Sequence, residues 1–292
     1  MNDYYAVDPY DHILLRDGIG EKIAVSREKH WYALIDRAFD YGQRQLAIIA
    51  EREHPVYCTG RLQNLEKVSP CLIELPVASQ AQFRKLLGKL LLHCSGRPML
   101  SFIRSELGGA QLVEVWQDLL EVETEDGQPF LLRFADTRVL PALTECVKPL
   151  WLRLSHGVTA WLIVNRDGEI KTLPLKSSEA ETGKYRIAER EFGCLLASTL
   201  PDALADRLHE HFPDLLAKRS GSTNHRLLLN GCDLANRHGI EAFRDQMALC
   251  VALLYSDGKL LNDPHFEPWM QQKPWLNGSL EATLGDYLEK ME

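Results

Sequence analysis

Apolar residues repeat along this chain with two different periods, and the change from one to the other divides it. Trp31-Tyr-Ala-Leu-Ile-Asp36 is an almost continuous apolar run, the pattern of a strand buried on both faces. The sequence predicts a helix from about Gly42 to Glu53, then short strands at Val56–Cys58 and Cys71–Leu75, the second stopped by Pro76. Phe83, Leu86, Leu87, Leu90 and Leu91 then fall at i, i+3, i+4, i+7 and i+8, a single apolar stripe on a helix capped by Ser79. Met99–Arg104 reads as another strand and Ala110–Leu119 as another short helix.

The most patterned stretch is Leu119–Leu140. It predicts two alternating strands around an Asp126-Gly127 turn, with Leu120, Val122 and Thr124 on one face and Phe130, Leu132 and Phe134 alternating on the partner. The second strand is expected to end in Arg133-Phe-Ala-Asp-Thr-Arg138, just before a helix. Glu121, Glu123 and Glu125 alternate opposite Arg133, so cross-strand ion pairing accounts for them without acid–base chemistry. Asp136 is placed to cap the helix starting near Arg138. A last hairpin is expected from 160–165 and 169–175 around Asp167-Gly168.

After about Leu175 the β-branched runs disappear. Residues 176–183 are small and polar, a linker composition. Beyond them Phe243, Met247, Cys250, Val251 and Leu254 form a helical stripe, and 201–218 and 224–238 read as helices punctuated by Pro201, Pro213 and Gly239. The fold class is therefore α/β (α+β): an N-terminal domain over 1–178 with a mixed sheet and flanking helices, followed by an all-α C-terminal subdomain over 184–292.

Composition narrows the function. The net charge of −8, from 33 basic and 41 acidic residues in 292, argues against a general nucleic-acid binder. The N-terminus lacks the basic start and apolar run of a signal peptide, and no segment reaches about 18 consecutive apolar residues. Seven scattered cysteines in apolar surroundings fit thiols packed in a reducing cytoplasm. Cys-x-x-Cys and His-Glu-x-x-His patterns are absent. His209 and His211 lie two apart, so on a regular helix their rings diverge by about 200° and would not share one ion. Ser155-His156-Gly157 is not a nucleophile elbow, and Gly18-Ile19-Gly20 lacks the third glycine of a dinucleotide loop. No cofactor or metal is expected.

His30-Trp-Tyr-Ala-Leu-Ile-Asp36, Cys71-Leu-Ile-Glu-Leu-Pro76, Ser101-Phe-Ile-Arg-Ser105 and Leu132-Arg-Phe-Ala-Asp-Thr-Arg-Val-Leu140, in that order and spacing, resemble the domain-of-unknown-function family 4123 over roughly residues 30–150. The chain departs from the family at Ala135-Asp136-Thr137, where relatives commonly have Tyr-Asp-Pro, but it keeps Arg133, Phe134, Asp136 and Arg138. The resemblance implies a cytoplasmic adaptor chaperone of bacterial type VI secretion. Such an adaptor binds a toxin effector and helps load it onto a spike of the valine-glycine-repeat (VgrG) type, with no enzymatic role, nucleic acid, membrane or small-molecule substrate. On that reading Arg104, Arg133, Asp136 and Arg138 are candidate partner-binding residues on a polar surface near the cleft between lobes. Trp269 and Trp275, in a proline-rich stretch, form either an exposed contact patch or a strap onto the helical subdomain. The alternatives are a small hydrolase or transferase using carboxylates around Asp136, and an effector immunity protein.

Overall fold

A computed structural model describes residues 4–24, 30–41, 46, 52–176 and 183–291. In chain order the elements are α1 His12–Ala24, β1 His30–Ile35, a 3-10 turn Arg37–Asp40, β2 Glu53–Pro55, a 3-10 stretch Gly60–Val68, β3 Cys71–Glu74, α2 Gln80–Cys94, β4 Leu100–Ser105, α3 Gly109–Gln117, β5 Glu121–Thr124, β6 Pro129–Leu131, α4 Val139–Cys146, α5 Lys148–Leu154, β7 Val158–Val164, β8 Ile170–Thr172 and β9 Arg186–Ile187. Helices then take over: α6 Glu189–His211, α7 Pro213–Leu216, α8 Gly221–His238, α9 Phe243–Tyr255, α10 Phe266–Gln271 and α11 Leu280–Met291. The helix expected at 42–53 lies for the most part outside the described residues, and Glu53 itself starts β2. Contacts divide the chain into two units, Val7–Ser198 and Met1–Ala6 with Thr199–Glu292. The linker and domain boundary expected near 176–184 fall largely on 177–182, outside the described residues.

The first unit is built on a six-stranded sheet in the order β2-β3-β1-β4-β7-β8, with every neighbouring pair antiparallel. Parallel pairing occurs in a second sheet, β6-β5-β9, where β5 and β9 run the same way. All of β1 beyond His30 is buried, because successive residues face opposite sides and both are covered. Tyr32 and Leu34 join a core with Ile103, Trp116, Phe134, Trp151 and Trp161. Trp116 and Trp161 are fully buried, and their indole N–H groups donate to Leu154 O and Ser101 Oγ, as buried indoles require. On another flank α1 packs against α2 and β8.

Several local expectations shift. The strand expected at Val56–Cys58 forms three residues earlier, at the edge of the sheet. From Val56 on the chain turns away, Val56 N–H donating to Pro70 O and Tyr57 N–H to Ser69 Oγ. Ser79 occupies the N-cap of α2 without a side-chain bond to it. The 120s hairpin forms, but its second strand stops at Leu131, and Arg133 does not lie opposite the glutamates. Glu121 pairs with Arg61, and Glu123 with Lys184 and Arg186. Pro201 does not break its helix: α6 runs through it, with Leu195 buried before it and Leu204 and Leu208 after. That burial outweighs the cost of about 3 kcal/mol for an interior proline.

In the helical unit α8 is capped by Ser220, whose Oγ accepts from Thr223 N–H, and ends at Gly239 in the left-handed conformation. Gly231 lets α9 approach, since a Cβ there would sit 2.6 Å from Cys250 Sγ. The stripe on α9 is inward at Cys250 and Leu254, while Phe243 is left 43% exposed. Asn224 donates to both Leu216 O and Tyr4 Oη, and Tyr4 stacks on His209 at 5.2 Å, so residues 4–6 belong to this unit. Among the described residues no helix is long and apolar enough to cross a membrane.

The expectation of seven free thiols is corrected at one pair. Cys146, ending α4, and Cys194, in the second turn of α6, are joined as a disulfide with Cα atoms 5.6 Å apart. Their separation of 48 residues gave no hint in the sequence that they meet. Closing a loop of that length is worth roughly 2–4 kcal/mol. Cys194→Ser should therefore lower the oxidised protein's unfolding free energy by that amount in urea titrations and leave the reduced protein unchanged. Full alkylation of both residues in the native, unreduced protein would show that the bond does not form.

Candidate functional site

At the end of β1 the chain passes from an apolar strand straight into buried charge. Asp36 N–H donates to Met99 O, closing the last rung with β4, and Asp36 Oδ1 then caps the 3-10 turn by accepting from Ala38 N–H. Asp36 and Asp40, at either end of this turn, are both buried, and each has found cations. Asp40 takes Arg97 Nη1 at 2.7 Å, from the turn after α2, and His93 Nε2 at 2.9 Å, from the last turn of α2. Arg97 Nη1 also donates to Phe39 O at 3.1 Å.

The other half comes from the segment after β6. Leu132 N–H makes its bond to Leu120 O, and the chain then leaves the ladder. Phe134, edge-on to Trp116 at 5.0 Å and to Trp161 at 6.4 Å, anchors the departure, and Thr137 N–H donates to Pro98 O beside the start of β4. This brings Arg133, Asp136 and Arg138 to Asp36. Arg133 Nη2 donates to Asp36 Oδ2 at 2.8 Å. Arg138 grips Asp136 with two nitrogens, Nη2 to Oδ2 at 2.8 Å and Nε to Oδ1 at 3.1 Å, a bidentate arrangement. Asp136 Oδ1 also accepts from Arg138 N–H, and its carbonyl accepts from Val139 and Leu140 N–H, so it organises the start of α4. Both arginines stand over the Phe39 ring, with Arg133 Cζ 5.1 Å and Arg138 Cζ 5.5 Å from its centroid, within cation–π range.

Three carboxylates thus meet three guanidiniums around one aromatic ring. Burial pushes the Asp36 carboxyl above its ordinary value, against the pull of Arg133. For Arg133 burial acts downward, yet the Asp36 charge prevails and the net shift is upward. The two shifts differ in what they say of the pair because desolvation falls unequally: the Asp36 side chain is 2% exposed and that of Arg133 40%. Tyr57 is pushed up to about 12 by burial, with Asp36 adding to it.

Of the residues singled out in the sequence, the fold brings Arg133, Asp136 and Arg138 together. Arg104 is elsewhere. It sits opposite Trp31, five residues along β4 from Met99 and so about 16 Å away, where it donates to Thr159 and covers the Trp31 ring at 5.8 Å. Trp269 and Trp275 belong to the helical unit. They are half-buried against Phe266 and Tyr287, with Trp269 4.8 Å from Tyr287 and 6.1 Å from Trp275, an arrangement that straps this stretch onto the helical core. Sequence reasoning missed Asp36, Phe39, Asp40, His93 and Arg97. The available signal was an Asp-x-x-x-Asp pair directly after a doubly buried strand, where an acid is costly unless paired.

The whole network lies in a segment matched by a family model: residues 31–153 fit the family described as Domain of unknown function (DUF4123). That segment is similar to the DUF4123 family. No curated protein and no solved structure matches it. Within the matched segment every acid of the network is engaged, and Asp136 is 3% exposed and chelated by Arg138. The group turned to solvent is Arg133. A guanidinium has five donors, and with Nη2 on Asp36 its outer edge can take a carboxylate or peptide carbonyl from outside. Trp269 and Trp275 lie outside the matched segment. Among the described residues no group of three or more His, Cys, Asp or Glu side chains is set to hold a metal.

Arg138→Met removes the partner of a buried carboxylate and should cost about 3 kcal/mol in chemical denaturation. A loss below about 1 kcal/mol would mean that Asp136 does not depend on the pair. Asp36 gives a pH signature. Between the ordinary carboxylate value of 3.8 and its raised folded value, the native chain keeps a proton that the unfolded chain has released. Its contribution is therefore full below 3.8 and is lost as pH rises through the folded value. The difference in unfolding free energy between wild type and Asp36→Asn should fall with rising pH. A difference that instead grows with pH would show that Arg133 dominates over burial.

Proposed function

We propose that the chain is an adaptor chaperone that holds a type VI secretion effector in the cytoplasm and assists its loading onto a VgrG-type spike. The observation that carries this reading is the DUF4123 match over 31–153, which covers the Asp36–Arg133–Arg138 network. The character of that network supports it. Its charges are spent on one another and fix the junction of β1, α2, β4 and α4, which suits a rigid platform for a protein partner more than a reacting centre. For a hydrolase or transferase built on Asp136, the same geometry is unfavourable. A general base must reach its substrate's proton, and this carboxylate is enclosed and already bound by a guanidinium. In a reducing compartment Cys146 and Cys194 would stand as thiols, so the working form on this reading is the dithiol.

The deciding experiment is affinity capture of the tagged chain from its native host, with bound proteins identified by mass spectrometry. One toxin-like protein in stoichiometric amount, accompanied by a spike protein, is the expected result. Arg133→Gln should reduce its recovery roughly tenfold, the loss of about 1.4 kcal/mol from one charge-assisted contact. Capture of no stoichiometric partner would sink the adaptor reading. Neutralisation of the captured protein's toxicity on co-expression would identify an immunity protein instead.

A further inference from the structure

The bond between Cys146 and Cys194 sits at a change of allegiance along one helix. α6 begins in the first unit and continues into the second, the division falling between Ser198 and Thr199. Cys194 lies in the part that belongs to the first unit, and Cys146 closes α4 inside the family-matched segment. The bond therefore ties that segment to a helix beyond its end at residue 153.

The first turns of α6 have few other attachments. Of the described residues from Glu189 to Ser198, Leu195 is buried, Glu191 and Phe192 are half-buried and the rest are exposed. Phe192 meets Phe130 of β6 at 5.4 Å. Glu191 is spent on the start of the helix, accepting from Ala188 N–H and from Tyr185 Oη. The chain just before is held more firmly. Ile187 is fully buried, Tyr185 O accepts from Glu123 N–H, and Gly183 N–H donates to Asp118 Oδ2. Two apolar side chains hold a stretch no more strongly than a disulfide closing a loop of 48 residues does. The state of the two sulfurs thus decides how tightly these turns are fixed.

This pair is also open to exchange where most of the other cysteines are closed. Cys194 is exposed and Cys146 half-buried, whereas Cys71, Cys94, Cys232 and Cys250 are buried. Burial pushes the Cys71 thiol up to about 12 and raises that of Cys94 as well, which keeps both protonated and poor nucleophiles. With α6 in place the Cα atoms of Cys146 and Cys194 stand 5.6 Å apart, within the ordinary disulfide range, so the bond closes without a movement of the backbone.

We propose that Cys146 and Cys194 form a reversible modification site for small-molecule disulfides of the glutathione type, in which oxidation latches the first turns of α6 onto α4 and reduction releases them. The Cys194 thiolate attacks one sulfur of the small disulfide and expels the other as a thiolate, leaving a mixed disulfide on Cys194. The Cys146 thiolate then attacks Cys194 Sγ and expels the second small thiolate. In all, the two cysteines lose two electrons and two protons, and the small disulfide gains them as two thiols. Reduction reverses these steps and starts at Cys194, the more exposed of the pair. A reducing compartment keeps the released form, and an oxidising challenge latches it. The site depends on the fold alone and stands apart from the adaptor reading.

The test equilibrates the full chain across ratios of reduced to oxidised glutathione, traps free thiols with an alkylating reagent and maps them by mass spectrometry. Cys146 and Cys194 should lose alkylation together as the buffer becomes oxidising and regain it together on return. Cys146→Ser should stop at glutathione bound to Cys194. In Cys194→Ser, the half-buried Cys146 should take up glutathione roughly tenfold more slowly. Hydrogen exchange reads the latch: amides of residues 192–198 should exchange roughly tenfold faster in the reduced than in the oxidised wild type, with those of β1 unchanged. A pair that stays joined in the most reducing buffer, or open in the most oxidising one, overturns the proposal. Equal exchange of residues 192–198 in the two states of the wild type overturns it too, because the bond would then hold nothing that is not already held.

Discussion

The burial of acids at the end of the central strand is the constraint to which the DUF4123-like segment is fitted. β1 has neighbours on both sides and apolar cover on both faces, so the polypeptide emerging from it at Asp36 is already far from water. An ionised carboxylate in that position needs both amide hydrogens and a cation. The amide comes from the 3-10 turn that Asp36 caps, and the cation comes from Arg133, 97 residues later in the chain. Asp40 imposes the same demand four residues on and meets it with Arg97 and His93. The sequence-distant segments 93–99 and 133–140 must therefore converge on the strand end, and the start of α4 is placed by the same atoms that satisfy Asp136. Replacing such pairs with apolar residues of similar shape is often neutral or stabilising in proteins, so the network's value lies in fixing which segments meet.

Much of the architecture was legible because it rests on periodicity. The run at 31–36, the stripe from Phe83 to Leu91 and the hairpin around Asp126-Gly127 each state their burial locally, and each forms where its pattern places it. What failed were inferences about where an element stops and which charges meet. Arg133 looked like a strand residue facing glutamates, because alternation continues through Phe134. In fact Phe134 is buried by three-dimensional packing on Trp116 and Trp161, which mimics a strand's period after the ladder has ended. Pro201 looked like a stop because local rules forbid it in a helix, and packing on either side overrode them. The candidate site was half visible. Arg133, Asp136 and Arg138 stood out as a charged cluster beside a helix start, whereas Asp36 passed as the end of a strand and Asp40 drew no reading, and only topology reveals that they are the other half.

The chemistry of the network's exposed edge follows from the same constraint. In the ion network nearly every polar group is committed, and Arg133 remains as a geometrically fixed donor with a buried counter-charge behind it. Such a group confers orientation and specificity while adding modest affinity, since its own desolvation has already been offset by Asp36. The family match stops at residue 153, so the helical unit lies in the part of the chain the family model does not cover. The charged junction falls wholly inside the matched segment, and its buried acids and arginines, from Asp36 to Arg138, hold that segment's sequence-distant pieces together.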